Sequence, residues 1–151
     1  MSLAAIKAKA DEFSSFDEVL DLIRGFESGA LPHARWTHKA HLTVACWYLV
    51  CYPEPEATRR IRAGIQSYNQ AHGVPTTKDR GYHETITLFW VRMIRHYLNK
   101  TTLECALVYL LNDLLECYAD GKLPFEYYSR DRLMSWEARA SYVEPDLKTL
   151  P

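Results

Sequence analysis

Residues 37–51 read THKAHLTVACWYLVC, and this stretch decides the fold. The hydroxyl of Thr37 makes this residue a favourable N-cap, and the residues from Ala40 to Val50 are apolar on almost every side of a helix. A helix without a polar face belongs at the centre of a domain, because none of its sides is suited to water. We therefore expect a central helix from His38 to Cys51.

A first helix is predicted upstream of this segment. Ser15 and Glu18 have the S-x-x-E spacing of a capping box, in which each side chain satisfies a free N–H of the first turn. Apolar residues follow at helical spacing as far as Phe26, and Gly29 is typical of the position after a helix. The sequence therefore predicts a helix between Ser15 and Gly29.

Three more main helices are predicted downstream. The third, from Glu56 to His72, follows two prolines and has a thin apolar stripe, so we expect it at the surface. The fourth runs from Tyr82 to Leu98. A second capping box, Thr101 to Glu104, begins the fifth, which ends near Gly121. The short turn between the last two predicts antiparallel packing.

The remaining segments are predicted as loops and one short helix. Residues 73–81 have the composition of a loop, and their length raises the chance that they line a site. Residues 125–128 are predicted to be irregular, and Ser129 to cap a helix that ends near Ser141. We expect residues 1–13 and 144–151 to be flexible or extended.

The fold class that follows is all-α. We expect residues 1–151 to form a single-domain helical bundle of five main helices plus a short C-terminal helix. The second, fourth and fifth helices supply most of the predicted core. The chain has 48% hydrophobic and 25% charged residues, and a domain of this size buries roughly 70% of the surface exposed by its unfolded chain.

Charge and cysteine usage limit the classes of partner. Eighteen basic residues against nineteen acidic ones give a net charge of -1, so we expect no nucleic-acid partner. The N-terminal residues lack the apolar core of a signal peptide, and no apolar run is long enough to predict a membrane span.

Cys46 and Cys51 share one predicted helix, as do Cys105 and Cys117, at spacings that cannot close a disulfide. We therefore expect reduced core cysteines and a cytoplasmic protein.

Two histidines at the start of the central helix are candidate metal ligands. His38 and His41 are three residues apart, so both side chains project from one helix face. Neutral imidazole is a common ligand of divalent metals, and this spacing is a known helical ligand geometry. The alternative is that one histidine satisfies hydrogen bonds at the helix end or in the core while the other is solvated.

A second polar segment, GYHETIT at residues 81–87, extends this candidate site. If the second and fourth helices are neighbours, His83 can join His38 and His41 around a divalent metal such as zinc. Glu84 would then be a fourth ligand or a general base, and Thr87 shares the helix face of His83. The alternative is that Glu84 only stabilises the positive end of its helix dipole.

A third candidate lies at residues 127–132, YYSRDR. A serine N-cap beside Arg130 can hold an anionic ligand, and Arg139 can join it. The alternative is that the tyrosines pack in the core and the arginines pair with nearby acids.

These residues leave three functions open. The first is a metal-assisted enzyme, for example a hydrolase, with His38, His41 and His83 as metal ligands and Glu84 as base or ligand. The second is a metal-free module for a small polar ligand, lined by the same histidines, by Arg130 and by the aromatic residues Trp36, Tyr82 and Tyr128. The third is a helical interaction protein or homodimer. The sequence contains no G-x-S-x-G, Walker-type, G-x-G-x-x-G or H-E-x-x-H motif.

The segments WTHKAHL at 36–42, 61–74 and GYHETIT at 81–87 together resemble a group of small uncharacterised bacterial proteins. The resemblance spans roughly residues 26 to 147 and includes YSR at 128–130 and EPD at 144–146. It implies a bacterial family without assigning an activity. It favours grouping the polar segments into one site.

Overall fold

The computed structural model describes residues 12–101 and 106–151, and within these ranges the chain is all-α, with no strand. Five main helices are present, as predicted. They are α1 (Phe16–Ser28), α2 (His38–Cys51), α3 (Glu54–Ala71), α4 (Glu84–Lys100) and α5 (Leu107–Cys117). A short 3₁₀ turn at His33–Arg35 precedes α2.

The predicted caps fix the ends of the first two helices. Ser15 accepts a hydrogen bond from the N–H of Glu18, and Gly29 follows α1 with a φ of 76°. The left-handed region costs glycine no steric strain, which is why the helix ends there. Thr37 accepts from the N–H of Ala40, so α2 has the predicted bounds.

Two helix starts differ from the prediction. α3 begins at Glu54, two residues early, because Pro55 lies in its first turn, where a missing N–H costs nothing. α4 begins at Glu84 because His83 is not helical but is the N-cap. An imidazole nitrogen thus takes the place that a serine or aspartate oxygen usually has.

The fifth helix packs on α2 and α1, and reaches α4 through tyrosine side chains. Tyr118 donates to the main-chain oxygen of Met93, and Tyr97 donates to Asp113. The structure therefore does not show the close antiparallel pairing of α4 with α5 that the short turn predicted. The capping box that starts at Thr101 lies largely outside the described residues.

The C-terminal third is more divided than predicted. Three short helices stand there, α6 (Pro124–Tyr127), α7 (Arg130–Leu133) and α8 (Trp136–Ala140), so residues 125–128 are mainly helical rather than irregular. The single helix expected from Ser129 to Ser141 is interrupted at Ser135. Ser135 has an extended backbone and caps α8 by accepting from the N–H of Ala138.

The core is organised around α2, which packs most extensively on α3 and α4. Leu110 of α5 is buried, as expected for the fifth helix, whereas Trp47 of α2 is only half-buried and lies 6.0 Å from the ring of Phe16. The C-terminal tail is held by hydrogen bonds. The N–H of Leu147 donates to Tyr127, and Arg92 donates to the main-chain oxygen of Pro151.

None of the described helices has the length and apolarity required to cross a bilayer. Of the cysteines, Cys46 is buried as expected, but Cys51 and Cys117 are exposed and free. The prediction that all four are core residues is therefore wrong for these two. Cys105 lies outside the described residues.

Candidate functional site

His38 is held by α4 and by the end of α5. Its ring lies 4.8 Å from that of Trp90, and its Nε2–H donates to the main-chain oxygen of Tyr118 at 2.8 Å. One side of the ring borders a cavity of about 400 Å³ between α2 and α5. Only Nδ1 is without a hydrogen bond to the described residues.

His41 belongs to a different cluster, made of stacked rings at the junction of α1, α2 and α3. Its ring centroid lies 3.7 Å from that of Trp36, which in turn contacts Phe26 and Tyr68. Nδ1–H donates to the main-chain oxygen of Thr37 at 2.7 Å. Burial lowers the pKa of His41 to about 4, so the ring is neutral at physiological pH.

His83 has no nitrogen left for a metal. Its Nδ1 accepts from the N–H of Ile86 at 3.2 Å, and its Nε2–H donates to the main-chain oxygen of Leu133 at 2.8 Å. The side chain is only 7% exposed. Burial lowers its pKa, which keeps the ring in the neutral form that makes both bonds.

Within residues 12–101 and 106–151, no group of three or more His, Cys, Asp or Glu side chains is arranged to hold one metal ion. His38, His41 and His83 each use at least one nitrogen in a main-chain hydrogen bond, and they pack against different neighbours. The predicted zinc-type site therefore has no support in the described structure.

Three of the predicted ligand-binding residues pack against other parts of the protein. Trp36 is half-buried among the stacked rings beside α3. Tyr128 is fully buried, and its hydroxyl donates to the main-chain oxygen of Val143 at 2.9 Å. Arg130 is exposed and lies over the ring of Phe125, 5.6 Å from its centroid.

The remaining predicted residues, Tyr82, Glu84 and Thr87, are brought together at the start of α4. Glu84 forms a two-point ion pair with Arg62 of α3, with Nε 2.9 and 3.1 Å from the two carboxylate oxygens. The hydroxyl of Tyr82 donates to Oε2 of Glu84. The hydroxyl of Thr87 donates to the oxygen of His83 and lies within hydrogen-bonding reach of Tyr82.

Tyr82 and Glu84 each have one protonation state near neutral pH. Burial alone would raise the pKa of Glu84, but the hydrogen bonds from Arg62 and Tyr82, with the charge of Arg62, bring it below its ordinary value. Burial, together with the neighbouring Glu84, raises the pKa of Tyr82 well above its ordinary value. At neutral pH Glu84 is a charged acceptor and Tyr82 a neutral donor, which argues against Glu84 as the predicted general base.

Arg139 of α8 completes the cluster and is the least ordinary of its members. It is 5% exposed, and both of its hydrogen bonds to the described residues start at Nη1, which donates to the oxygens of Gly81 at 3.0 Å and Tyr82 at 3.3 Å. Its Nε is buried and has no hydrogen-bond acceptor in the part of the chain that the structure describes. The Nε/Nη2 edge, which in other proteins binds a carboxylate through two parallel hydrogen bonds, is therefore unused by the described residues.

These side chains line an open groove of about 520 Å³ between α3, α4 and α8, which we call the arginine groove. Its lining carries two positive charges, Arg62 and Arg139, and one negative charge, Glu84, so the balance is +1. The full set is Arg62, Gln66, Thr76, Tyr82, Glu84, Trp136, Arg139, Ala140, Ser141 and Tyr142.

Thr76 of the loop 73–81 lines the groove. Gly81 has a φ of 90°, and a Cβ there would lie 2.5 Å from the oxygen of Pro75. Only glycine fits this position, which brings the carbonyls of Gly81 and Tyr82 to Arg139.

Sequence reasoning missed Arg62 and Trp136, and grouped Arg139 with the wrong partners. Arg62 has no local signal in the sequence, because its partner, Glu84, is 22 residues away. A signal for Trp136 was present, since Ser135 has the spacing of an N-cap that places Trp136 and Arg139 on one face of the following turn.

No protein-family model, curated protein or solved structure matches this chain. Membership of the bacterial group that the polar segments resemble therefore remains a prediction.

Proposed function

We propose that this protein binds a small organic anion in the arginine groove and that Arg139 receives the anionic group. The observation that carries the proposal is the unused guanidinium edge of a buried arginine. A buried donor without an acceptor costs about 1–3 kcal/mol, and a carboxylate or phosphate in the groove would stabilise the charge of the same guanidinium. Nε of Arg139 is such a donor.

The charge of the groove supports the same conclusion. Glu84 neutralises Arg62 through a two-point ion pair, whereas Arg139 has only main-chain carbonyls as partners among the described residues. A ligand with one negative charge would balance the groove. Charged hydrogen bonds of this kind are stronger than neutral ones, and the guanidinium plane adds directional selectivity.

The fixed protonation states favour binding over acid–base catalysis. A general acid or base works best with a pKa near the working pH, and the pKa values of Tyr82 and Glu84 are shifted away from neutrality in opposite directions. The proposal thus keeps the metal-free binding function considered from the sequence but places it on other residues. Of the residues considered from the sequence, only Tyr82, Glu84 and Arg139 line the arginine groove.

The test is a titration with benzoate and with inorganic phosphate, followed through the amide NMR signals of the whole chain. We expect saturable shifts centred on Gly81, Tyr82 and Arg139, with a dissociation constant in the millimolar range or tighter, about 4 kcal/mol of binding. Arg139→Lys keeps the charge but loses the two-point edge, so it should weaken binding at least several-fold.

The matched control is Arg130→Lys, which makes the same change at an exposed arginine outside the groove. This variant should bind as the wild type does. Equal loss in both variants, or no saturable shift with either anion, would overturn the proposal.

A further inference from the structure

The arginine groove contains two large aromatic side chains that the other described residues leave partly exposed. Trp136 is 53% and Tyr142 38% exposed. Among the described residues, neither ring stacks on another aromatic ring, whereas the buried aromatic residues form an almost continuous series of ring contacts. Leaving a tryptophan in water forfeits much of the hydrophobic stabilisation that this residue can provide.

Trp136 is placed relative to Arg139 by the geometry of α8. The two residues are three apart in one helical segment and therefore lie on the same face, with Cβ atoms about 5–6 Å apart. Both line the arginine groove. Ser135 caps the segment and fixes Trp136 as its first helical residue.

We infer that the ligand of the arginine groove is a flat aromatic carboxylate, whose ring stacks on Trp136 while its carboxylate binds the guanidinium group of Arg139. The inference rests on the proposed function and names its ligand class. Trp136 and Arg139 line the same groove, so an aryl carboxylate offers one group to each of them, whereas acetate offers only a carboxylate. Tyr142, whose hydroxyl donates to Glu144, also lines the groove.

The carboxylate is favoured over a phosphate by charge. The lining balance is +1, which a carboxylate neutralises, whereas a phosphate monoester near neutral pH carries about 1.5 to 2 negative charges. Glu84 would repel the excess charge.

The experiment compares acetate, cyclohexanecarboxylate, benzoate and 2-naphthoate, with dissociation constants from calorimetry and from quenching of tryptophan fluorescence. We expect 2-naphthoate to bind at least tenfold more tightly than acetate, and benzoate more tightly than cyclohexanecarboxylate, because a flat ring can stack on indole. Trp136→Ala should remove these differences, and Trp136→Phe should largely retain them.

The control is Tyr109→Ala, which truncates an aromatic side chain that is 76% exposed and outside the groove. It should leave all four constants unchanged. Trp136 is exposed, so its variants should fold, and their unfolding midpoints verify this directly.

Two negative outcomes are distinguishable. If all four acids bind with similar constants and Arg139→Lys weakens each of them, the aromatic inference fails while the proposed function stands. If none of the acids binds in a manner that depends on Arg139, the proposed function itself fails.

Discussion

Nε2 of His83 lies 2.8 Å from the main-chain oxygen of Leu133 and donates to it, which joins the start of α4 to the end of α7. The other nitrogen, Nδ1, caps α4 by accepting from Ile86. One neutral imidazole therefore satisfies two main-chain groups that are 47 residues apart along the chain. Because both nitrogens are used in this way, His83 has a structural role, although its place in the sequence resembles that of a metal ligand.

The first prediction follows from this arrangement. His83→Ala should lower the free energy of unfolding by about 2–4 kcal/mol, because it removes a cap worth roughly 1 kcal/mol and leaves a buried carbonyl without its donor. The measurement is the urea midpoint of protein treated with a chelator. His33→Ala, at an exposed position, should change stability by less than about 0.5 kcal/mol, and equal effects would contradict the assignment.

The second prediction concerns pH. Burial lowers the pKa of His41 to about 4, below the value of about 6.5 in an unfolded chain, so protons bind preferentially to the unfolded state between these values. Stability should be complete above pH 6.5 and fall as the pH decreases toward 4. His83, whose pKa is also lowered, adds to the same slope.

His41→Phe keeps a flat ring against Trp36 but cannot titrate, so its stability should depend less steeply on pH in this window. Unfolding midpoints from pH 7 to pH 4 measure the effect. A slope identical to that of the wild type would show that His41 does not titrate as described.

The third prediction compares two glycines. Gly73 and Gly81 both have a positive φ, but a Cβ on Gly73 would meet nothing within 4 Å, whereas one on Gly81 would lie 2.5 Å from the oxygen of Pro75. Gly73→Ala should cost about 1–2 kcal/mol from the left-handed backbone alone. Gly81→Ala should cost clearly more and should weaken anion binding, since it displaces a carbonyl that holds Arg139.

Denaturant unfolding and benzoate titration of both variants measure these two effects. Equal destabilisation would mean that the loop can move away from residue 81, and unchanged binding would separate the loop from the groove.

The fourth prediction tests charge. Glu84→Gln raises the balance of the groove lining from +1 to +2, so benzoate and phosphate should both bind several-fold more tightly, and phosphate should gain more. Glu56→Gln is the matched control, because Glu56 pairs with Arg59 and Arg60 on the solvent side of α3.

Calorimetric titrations at two salt concentrations measure the change in affinity, and the gain should shrink at high salt. A gain of the same size in Glu56→Gln would indicate a general effect of net charge rather than a property of the groove.

The helices could be predicted because their signals are local. Thr37 and Ser15 cap helices with hydrogen bonds to residues three positions away, and the apolar pattern between caps needs no knowledge of the fold. The error at α4 has a specific cause. Histidine is not a usual N-cap, so the sequence pattern places His83 inside the helix, with both ring nitrogens available for a metal.

The groove could be predicted only in part because its contacts connect distant segments. The polar composition of their segment points to Tyr82 and Glu84. The partner of Glu84, however, is on α3, and the carbonyls that accept from Arg139 are 57 and 58 residues away from it. A sequence pattern records none of these distances. The unused edge of Arg139 exists only after α8 has packed against the loop before α4.

That packing gives Arg139 a mechanical role as well as a chemical one. Its Nη1 donates to two carbonyls of the segment before α4, and the same planar guanidinium is the group proposed to bind the anion. A ligand bound to this guanidinium would restrain α8 and the loop together, although the two segments are far apart along the chain. Occupancy should therefore be visible as slower amide hydrogen exchange in residues 136–143 and 77–82, with little change in α1 or α5. Ligand binding would therefore stabilise the C-terminal segment against local unfolding.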